Sequence, residues 1–409
     1  MVLLPVLVLL LSGIERLVHA HPNEHPEPDA SQSIAQQAFR QLSKRSVLDC
    51  LDNPESRNLQ KRAADRRQAL FETLRAEHLL KRGRTVRDTA TALITSHRSN
   101  QTGLNQNSNP FGSSVSCTLT PEVEVGPYWV SGEFIRKDLR ETQQGVTLFL
   151  DIQVIDTKSC KPMSSVYVDV WNCNASGVYG GIVASGNGNA ADLSNLNTTY
   201  LRGLQSTNTD GVVQFVTNFP GHYPGRTNHI HTIVHLNGTV LPNNTYGGGT
   251  IPHIGNILFD QTLISAVEAV TPYSQNTAQV TTNAQDRVFV QETASANDPV
   301  VNYVLLGSGV QDGIFGWVTL GVESTADQGS LASAHSIWTA SGGVDNPNFN
   351  GGLPGLGSGG LPPGMGGYGA TGGMGPPFGG MGPPNGGMGP PNGGMGPPAA
   401  TTSPPPKCS

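Results

Sequence analysis

Two histidines separated by one residue, His229 and His231, lie in a run rich in β-branched side chains, Ile230, Thr232, Ile233 and Val234. In a strand, residues i and i+2 point to one face, so the two imidazoles stand side by side, their Cβ atoms roughly 6.5–7 Å apart. Rings at that spacing can lean onto one metal ion. Tyr223, six residues before His229, and Tyr179 further upstream offer phenol oxygens to the same ion. A phenol with an ordinary pKa of about 10 is a poor ligand for a soft or weakly acidic ion. As a phenolate it is a hard, electron-rich oxygen that suits a hard trivalent ion such as Fe(III).

Those residues sit in longer fragments: Gly126-Pro127-Tyr128, then Val168 to Tyr179 (VDVWNCNASGVY), then Pro220 to His231 (PGHYPGRTNHIH). In that order they resemble the intradiol ring-cleavage dioxygenases, and more narrowly the secreted fungal branch of that family. The resemblance runs from about Cys117 to Val322. It implies a mononuclear non-haem Fe(III) held by Tyr179, Tyr223, His229 and His231, with Tyr179 and His229 equatorial and Tyr223 and His231 axial. It implies a catecholic or hydroxyquinol substrate and O2 as partners, and cleavage between the two hydroxylated carbons to a muconate-type diacid.

Tyr223 would be the base that takes a substrate proton. Arg226, three residues before His229, matches the family's active-site arginine and would stabilise developing negative charge on the substrate; the bland alternative is an arginine that only rims the loop. Asn256 stands where the family usually places Gln, keeping the amide but shortening its reach by one methylene. With Tyr128 as a candidate pocket wall, Arg226 and Asn256 complete the expected substrate-binding residues. Two other classes stay open: a secreted β-sandwich binding or cell-wall protein that has lost turnover, and a copper or zinc enzyme using the same histidines.

Other tempting residues have quieter readings. His235 shares the face of His229 and His231 but lies roughly 13 Å beyond His231, as a pocket-edge or core histidine. His222 sits in a turn marked by Gly221 and Gly225 and reads as structural. His253 could reach the pocket from the next strand, while Tyr200 and Tyr246 read as surface residues.

The elements that must position the site follow from period-two patterning. Leu148, Leu150, Ile152 and Val154 alternate with Phe149, Asp151 and Gln153; Val166, Val168 and Val170 alternate with Tyr167, Asp169 and Trp171. Further strands are predicted over 212–219, 229–236, 254–259 and 313–322. Short alternating strands between Gly/Asn/Pro turns imply a mainly β fold, an antiparallel β-sandwich.

Around this core, residues 1–20 read as a signal peptide, with an apolar run from Leu3 to Leu11 that Glu15 and Arg16 end well short of a membrane span. Residues 21–62 are polar with dibasic sites Lys44-Arg45 and Lys61-Arg62, either a pro-segment or an uncut extension. Residues 63–116 predict an amphipathic helix on Leu70, Phe71, Leu74 and Leu79, followed by a linker; its basic residues Arg62, Arg66, Arg67, Lys81, Arg82, Arg84 and Arg87 are expected on a solvated face. The dioxygenase-like core spans 117–325, a linker 326–341, and a disordered Gly/Pro-rich tail 342–409, where GGMGPP recurs without the every-third-Gly period of collagen. The tail has no terminal apolar stretch for a lipid anchor.

A net charge of -6 with 13% charged residues, and no basic stripe in the core, argues against a nucleic-acid partner. Five cysteines and the sequons at Asn100, Asn174, Asn197, Asn237 and Asn243 fit a glycosylated chain in an oxidising, extracellular compartment. Cys160 and Cys173 flank a predicted strand and could pair close to the core, Cys50 and Cys117 would staple the N-terminal segment to it, and Cys408 is left over; four cysteines allow three pairings, and spacing does not choose among them. Spacing sets neither the preferred diol nor the oligomeric state.

Overall fold

In the computed structural model, the structure describes Cys50 and residues 53–82, 118–119, 125–293 and 299–349. The signal-like segment, most of the candidate pro-segment, Arg84, Arg87, Asn100, Cys117, Cys408 and the repeat tail lie outside the described residues, as do the side chains of Lys81 and Arg82. No described helix is long and apolar enough to cross a membrane.

Helix α1 spans Pro54–Arg82, and the strands begin with β1 (Thr118–Leu119), β2 (Val130–Ser131), β3 (Thr147–Asp156) and β4 (Tyr167–Trp171). They continue with β5 (Arg202–Ser206), β6 (Val212–Asn218), β7 (His229–Leu236), the short pair β8 (Thr239–Val240) and β9 (Tyr246–Gly247), and β10 (Thr250–Leu258). Helices α2 (Gln261–Glu268) and α3 (Arg287–Thr293) follow, then β11 (Asn302–Leu305), β12 (Ile314–Val322), β13 (Ser336–Thr339) and β14 (Gly342–Asp345).

One sheet has the order β1-β12-β3-β6, with β11 on β12; the other has the order β10-β7-β4-β5. Their inner faces form one apolar core, Leu148, Leu150, Ile152, Val154, Val213, Phe215, Val318 and Leu320 meeting Val168, Val170, Ile230, Val234 and Ile257. These are the period-two positions of each strand, which is why the alternation was readable.

The sheets are not purely antiparallel as expected: β12 runs parallel to both β3 and β1. More than a hundred residues separate β3 from β12, so no tight hairpin dictates their direction. The linker expected at 326–341 and the first residues of the tail instead form the β13–β14 hairpin, whose β13 also pairs with β2.

The outer face of the β3–β12 sheet is covered by α1, which starts at Pro54, nine residues before the expected helical segment. Ala64 and Phe71 pack on Phe315, Trp317 and Leu306. Arg66 and Arg67 are not on a solvated face: they pair at 3.0 and 2.8 Å with the fully buried Asp151 of β3. Arg62 reaches Asp210 at 2.9 Å. A disulfide joins Cys50 to Cys160 in the turn after β3, correcting both candidate pairings. Cys173 is a free, buried thiol that donates to the Gly221 carbonyl at 3.4 Å. Its place at the end of β4 commits it to the site loops rather than to the turn holding Cys160.

Candidate metal centre

The alternation that buries Ile230, Thr232 and Val234 inward turns His229, His231, Ile233 and His235 to the outer face of the β4–β7–β10 sheet. Trp171 of β4 and Asn256 of β10 lie directly opposite His231 on its two neighbours. Two loops close over this face, one carrying Tyr179 and one carrying Tyr223. They meet where Gly177, at φ +84°, lies against the His222 carbonyl and the Tyr223 side chain; a Cβ there would collide with that carbonyl, so glycine is required on both counts.

All four expected ligands come together. His229 Nε2 lies 3.0 Å from His231 Nε2, 3.1 Å from Tyr223 Oη and 3.4 Å from Tyr179 Oη. The two phenol oxygens are 3.4 Å apart. Four donors about 2.0–2.1 Å from a shared ion would be separated by about 3.3 Å in a tetrahedral arrangement, so the set fits a single metal ion. All four side chains are buried.

The tautomer of His229 is fixed by its surroundings. Its Nδ1 is 2.6 Å from the Thr227 carbonyl, which can only accept, so Nδ1 carries the proton and Nε2 presents a lone pair. Burial and the nearby Arg226 charge push its pKa down to about 3, so the ring stays neutral. His231 is held by Trp171, whose ring stacks on it at 5.0 Å with an 8° interplanar angle. Burial raises both phenols well above their ordinary value, opposed by the charge of Arg226 on both and of Arg202 on Tyr179. Without a cation the two tyrosines are therefore phenols and His229 a neutral imidazole, and a bound cation would supply the charge that the phenolate forms need.

The Tyr179 loop is clamped through its backbone. Asn187 Oδ1 accepts from Tyr179 N at 2.8 Å and its Nδ2 donates to Tyr179 O at 2.9 Å; Asn195 Nδ2 donates to that same carbonyl at 2.8 Å. Both asparagines are buried. Neither was singled out in the sequence, and their only advance sign was the richness of residues 180–199 in Asn.

The Tyr223 loop is held from behind. His222 Nε2 donates to the Ala278 carbonyl at 3.0 Å and Nδ1 faces Glu268 at 2.8 Å, while Asn228 Nδ2 donates to Pro220 O and Glu268. His222 is thus structural, as expected. Arg226 is fully buried, with Nε donating to Asp286 at 3.0 Å; Asp286 also accepts from Thr227 N. It lies within the loop's anchoring rather than along its rim, and its charge still reaches both phenols.

Tyr128 is a wall of the site, its ring 5.1 Å from that of Tyr179. Asn256 is fully buried opposite His231, and neither amide atom has a protein partner among the described residues. His235 is buried 3.5 Å from Asp169, away from the donors. His253 is opposite Val234 and so faces inward, on the side of the sheet away from the site. Tyr200 and Tyr246 are buried, contrary to expectation: Tyr200 donates to Asn195 Oδ1, and Tyr246 stacks on Tyr167 at 4.2 Å while accepting from Gly238 N.

No protein-family model and no curated protein matches the chain. Among solved structures it is similar to an intradiol ring-cleavage dioxygenase from Tetranychus urticae, at 31% identity over 52% of this chain and 98% of that one, with a TM-score of 0.43. A second dioxygenase structure shares 29% identity over 52% of this chain and 97% of its own, with a TM-score of 0.44. A catechol 1,2-dioxygenase from Acinetobacter sp. ADP1 shares 18% over 50% and 62%, with a TM-score of 0.32. The identity to the Tetranychus urticae protein, carried over nearly all of that protein's length, relates the two chains, and by it this chain belongs to the intradiol ring-cleavage dioxygenase family.

Proposed function

We propose that the chain is a secreted, mononuclear non-haem Fe(III) dioxygenase that opens catecholic or hydroxyquinol rings between their two hydroxylated carbons, incorporating both atoms of O2 to give muconate-type diacids. The observation that carries this reading is the convergence of Tyr179, Tyr223 and His231 on His229, whose Nε2 lies 3.0–3.4 Å from a donor atom of each, with the two phenol oxygens 3.4 Å apart. Two phenol oxygens beside two imidazoles form a hard donor set that favours a ferric ion over zinc or copper. Action outside the cell is supported by the signal-like Met1 to Ala20 and by the Cys50–Cys160 disulfide.

When bound, ferric iron supplies a Lewis acid for the substrate oxygens and a redox partner that lets the ring react with O2. The rest falls to the chain. Tyr223 Oη is the base that takes a hydroxyl proton from the diol, in a site where burial keeps water from competing. The Thr227 carbonyl keeps the proton of His229 on Nδ1, so its Nε2 remains a donor of electrons throughout. The Arg226 charge, anchored by Asp286, favours negative charge building up at the site. Tyr128 flanks the substrate space beside Tyr179, and Asn256 offers its amide to the substrate or O2.

Oxygen uptake by the iron-loaded protein on catechol and hydroxyquinol, with product identification, tests this reading. One O2 consumed per diacid formed is the expected result. A purple-red protein that consumes no oxygen with any diol would instead favour a binding protein on the same scaffold.

A further inference from the structure

Arg202 opens β5 opposite Trp171, the residue that stacks on His231. Its side chain is buried and makes three contacts, two of them on the Tyr179 loop. Nε donates at 2.7 Å to the carbonyl of Gly180, the residue after Tyr179. Cζ lies 5.8 Å from the centroid of the Tyr179 ring. Nη1 pairs with Glu133 at 3.2 Å.

The charges around that guanidinium decide whether its positive charge survives. Glu133 also faces Asp169, which accepts from Trp129 Nε1 at 3.0 Å and lies 3.5 Å from His235 Nε2. Burial and the neighbouring carboxyl raise Glu133 well above the usual carboxylate range, and burial raises Asp169 to about 6. Burial also holds His235 down, to about 4, so it adds no positive charge near neutral pH. The two acids therefore do not both ionise against Arg202. Arg136 meets Arg202 at its backbone carbonyl, through Nε and Nη2, while its Nη1 pairs with Glu141. The guanidinium charge is left directed at the Tyr179 ring.

We propose that Arg202 is a positioning residue for Tyr179, fixing the loop through the Gly180 carbonyl and setting the electron-donor strength of the Tyr179 oxygen through its charge. The inference rests on Tyr179 being one of the iron ligands. A cation against the ring stabilises electrons on the phenolate. Moving one of them to Fe(III) then takes more energy, so Arg202 holds the visible charge-transfer band at shorter wavelength than Tyr179 alone would give.

The test is the visible spectrum and iron affinity of the full chain loaded with Fe(III), as wild type, Arg202→Lys, Arg202→Met and the pair Arg202→Met/Glu133→Gln. The pair avoids stranding a buried carboxylate and keeps a folded variant in hand. Each is also made in a Tyr179→Phe background. Arg202→Met and the pair should move the band to longer wavelength and weaken iron binding about 10- to 100-fold. Arg202→Lys, which keeps the charge, should stay nearer the wild-type wavelength. In the Tyr179→Phe background, where only Tyr223 absorbs, the shift should vanish. A band unmoved in folded Arg202→Met, equal shifts for Lys and Met, or a shift that persists without Tyr179 would each overturn the role of Arg202. A wild type that binds iron with no visible band would overturn the ligand reading itself, and the inference with it.

Discussion

The two outer faces of the sandwich both bury polar side chains beneath a covering segment, and they solve that problem differently. On the β3–β12 sheet, Asp151 meets Arg66 and Arg67 from α1 and Gln214 from β6, so the charge is matched within the chain. On the β4–β7–β10 sheet, the covering loops bring phenols to imidazoles, and four ligand atoms converge on one point. The first arrangement is a strut. The second has the composition of a coordination sphere. Burial of polar groups is common to both, so what marks function is the kind of atom brought together.

That contrast can be broken at the strut first. Asp151→Ala leaves two guanidinium groups without their buried partner and should cost about 3–5 kcal/mol in urea unfolding; a loss under about 1 kcal/mol would show that α1 does not depend on the pair. In the wild type, Arg67 and Arg66 outweigh desolvation and hold the Asp151 carboxyl below its ordinary value. Its stabilisation is thus fully present above the unfolded pKa of about 3.9 and is lost as pH falls through the lower folded value. Asp151→Ala should flatten the acid limb of a stability–pH profile.

The next two changes compare the faces of the site-bearing sheet. Ile230→Ala, on the inner face between the histidines, should cost about 2–5 kcal/mol in the metal-free protein. Asn187→Ala frees the Tyr179 amide and leaves its carbonyl to Asn195 alone; it should cost about 1–3 kcal/mol, with iron bound about 10-fold more weakly. Equal iron affinity in that variant would mean that Asn195 holds the loop unaided. The smallest effect on the fold belongs to His229→Ala, about 1 kcal/mol or less without metal, yet it should remove most bound iron by metal analysis. Thermal melts of the metal-free forms of Ile230→Ala and His229→Ala, neighbours in sequence, would then separate packing from ligation.

Much of this was legible in the chain because strand periodicity is local. His229 and His231 announced one face of β7, and the alternations at 148–154 and 166–170 announced the core. The tyrosine partners came from the ordered fragments that resemble a family, since nothing local links Tyr179 to a strand fifty residues on. What stayed hidden depends on long-range closure. Arg66 and Arg67 look solvated until Asp151, some 85 residues away, is seen beneath them. The Cys50–Cys160 pairing depends on where α1 begins. Asn187 and Asn195 act on backbone atoms and so leave no side-chain pattern, and in the β13–β14 hairpin the four strand-forming residues Ser336 to Thr339 are followed by a Gly-rich partner, Gly342 to Asp345, with little strand character of its own.

Titration of the metal-free protein with Fe(III), followed in the visible region, tests the central claim most directly. One equivalent should produce a broad phenolate-to-iron band that saturates, changes shape in Tyr179→Phe and Tyr223→Phe, fades in His229→Ala and His231→Ala, and is unaffected in His235→Ala. Iron that binds without colour, or a band that survives loss of His229 but not of His235, would contradict it.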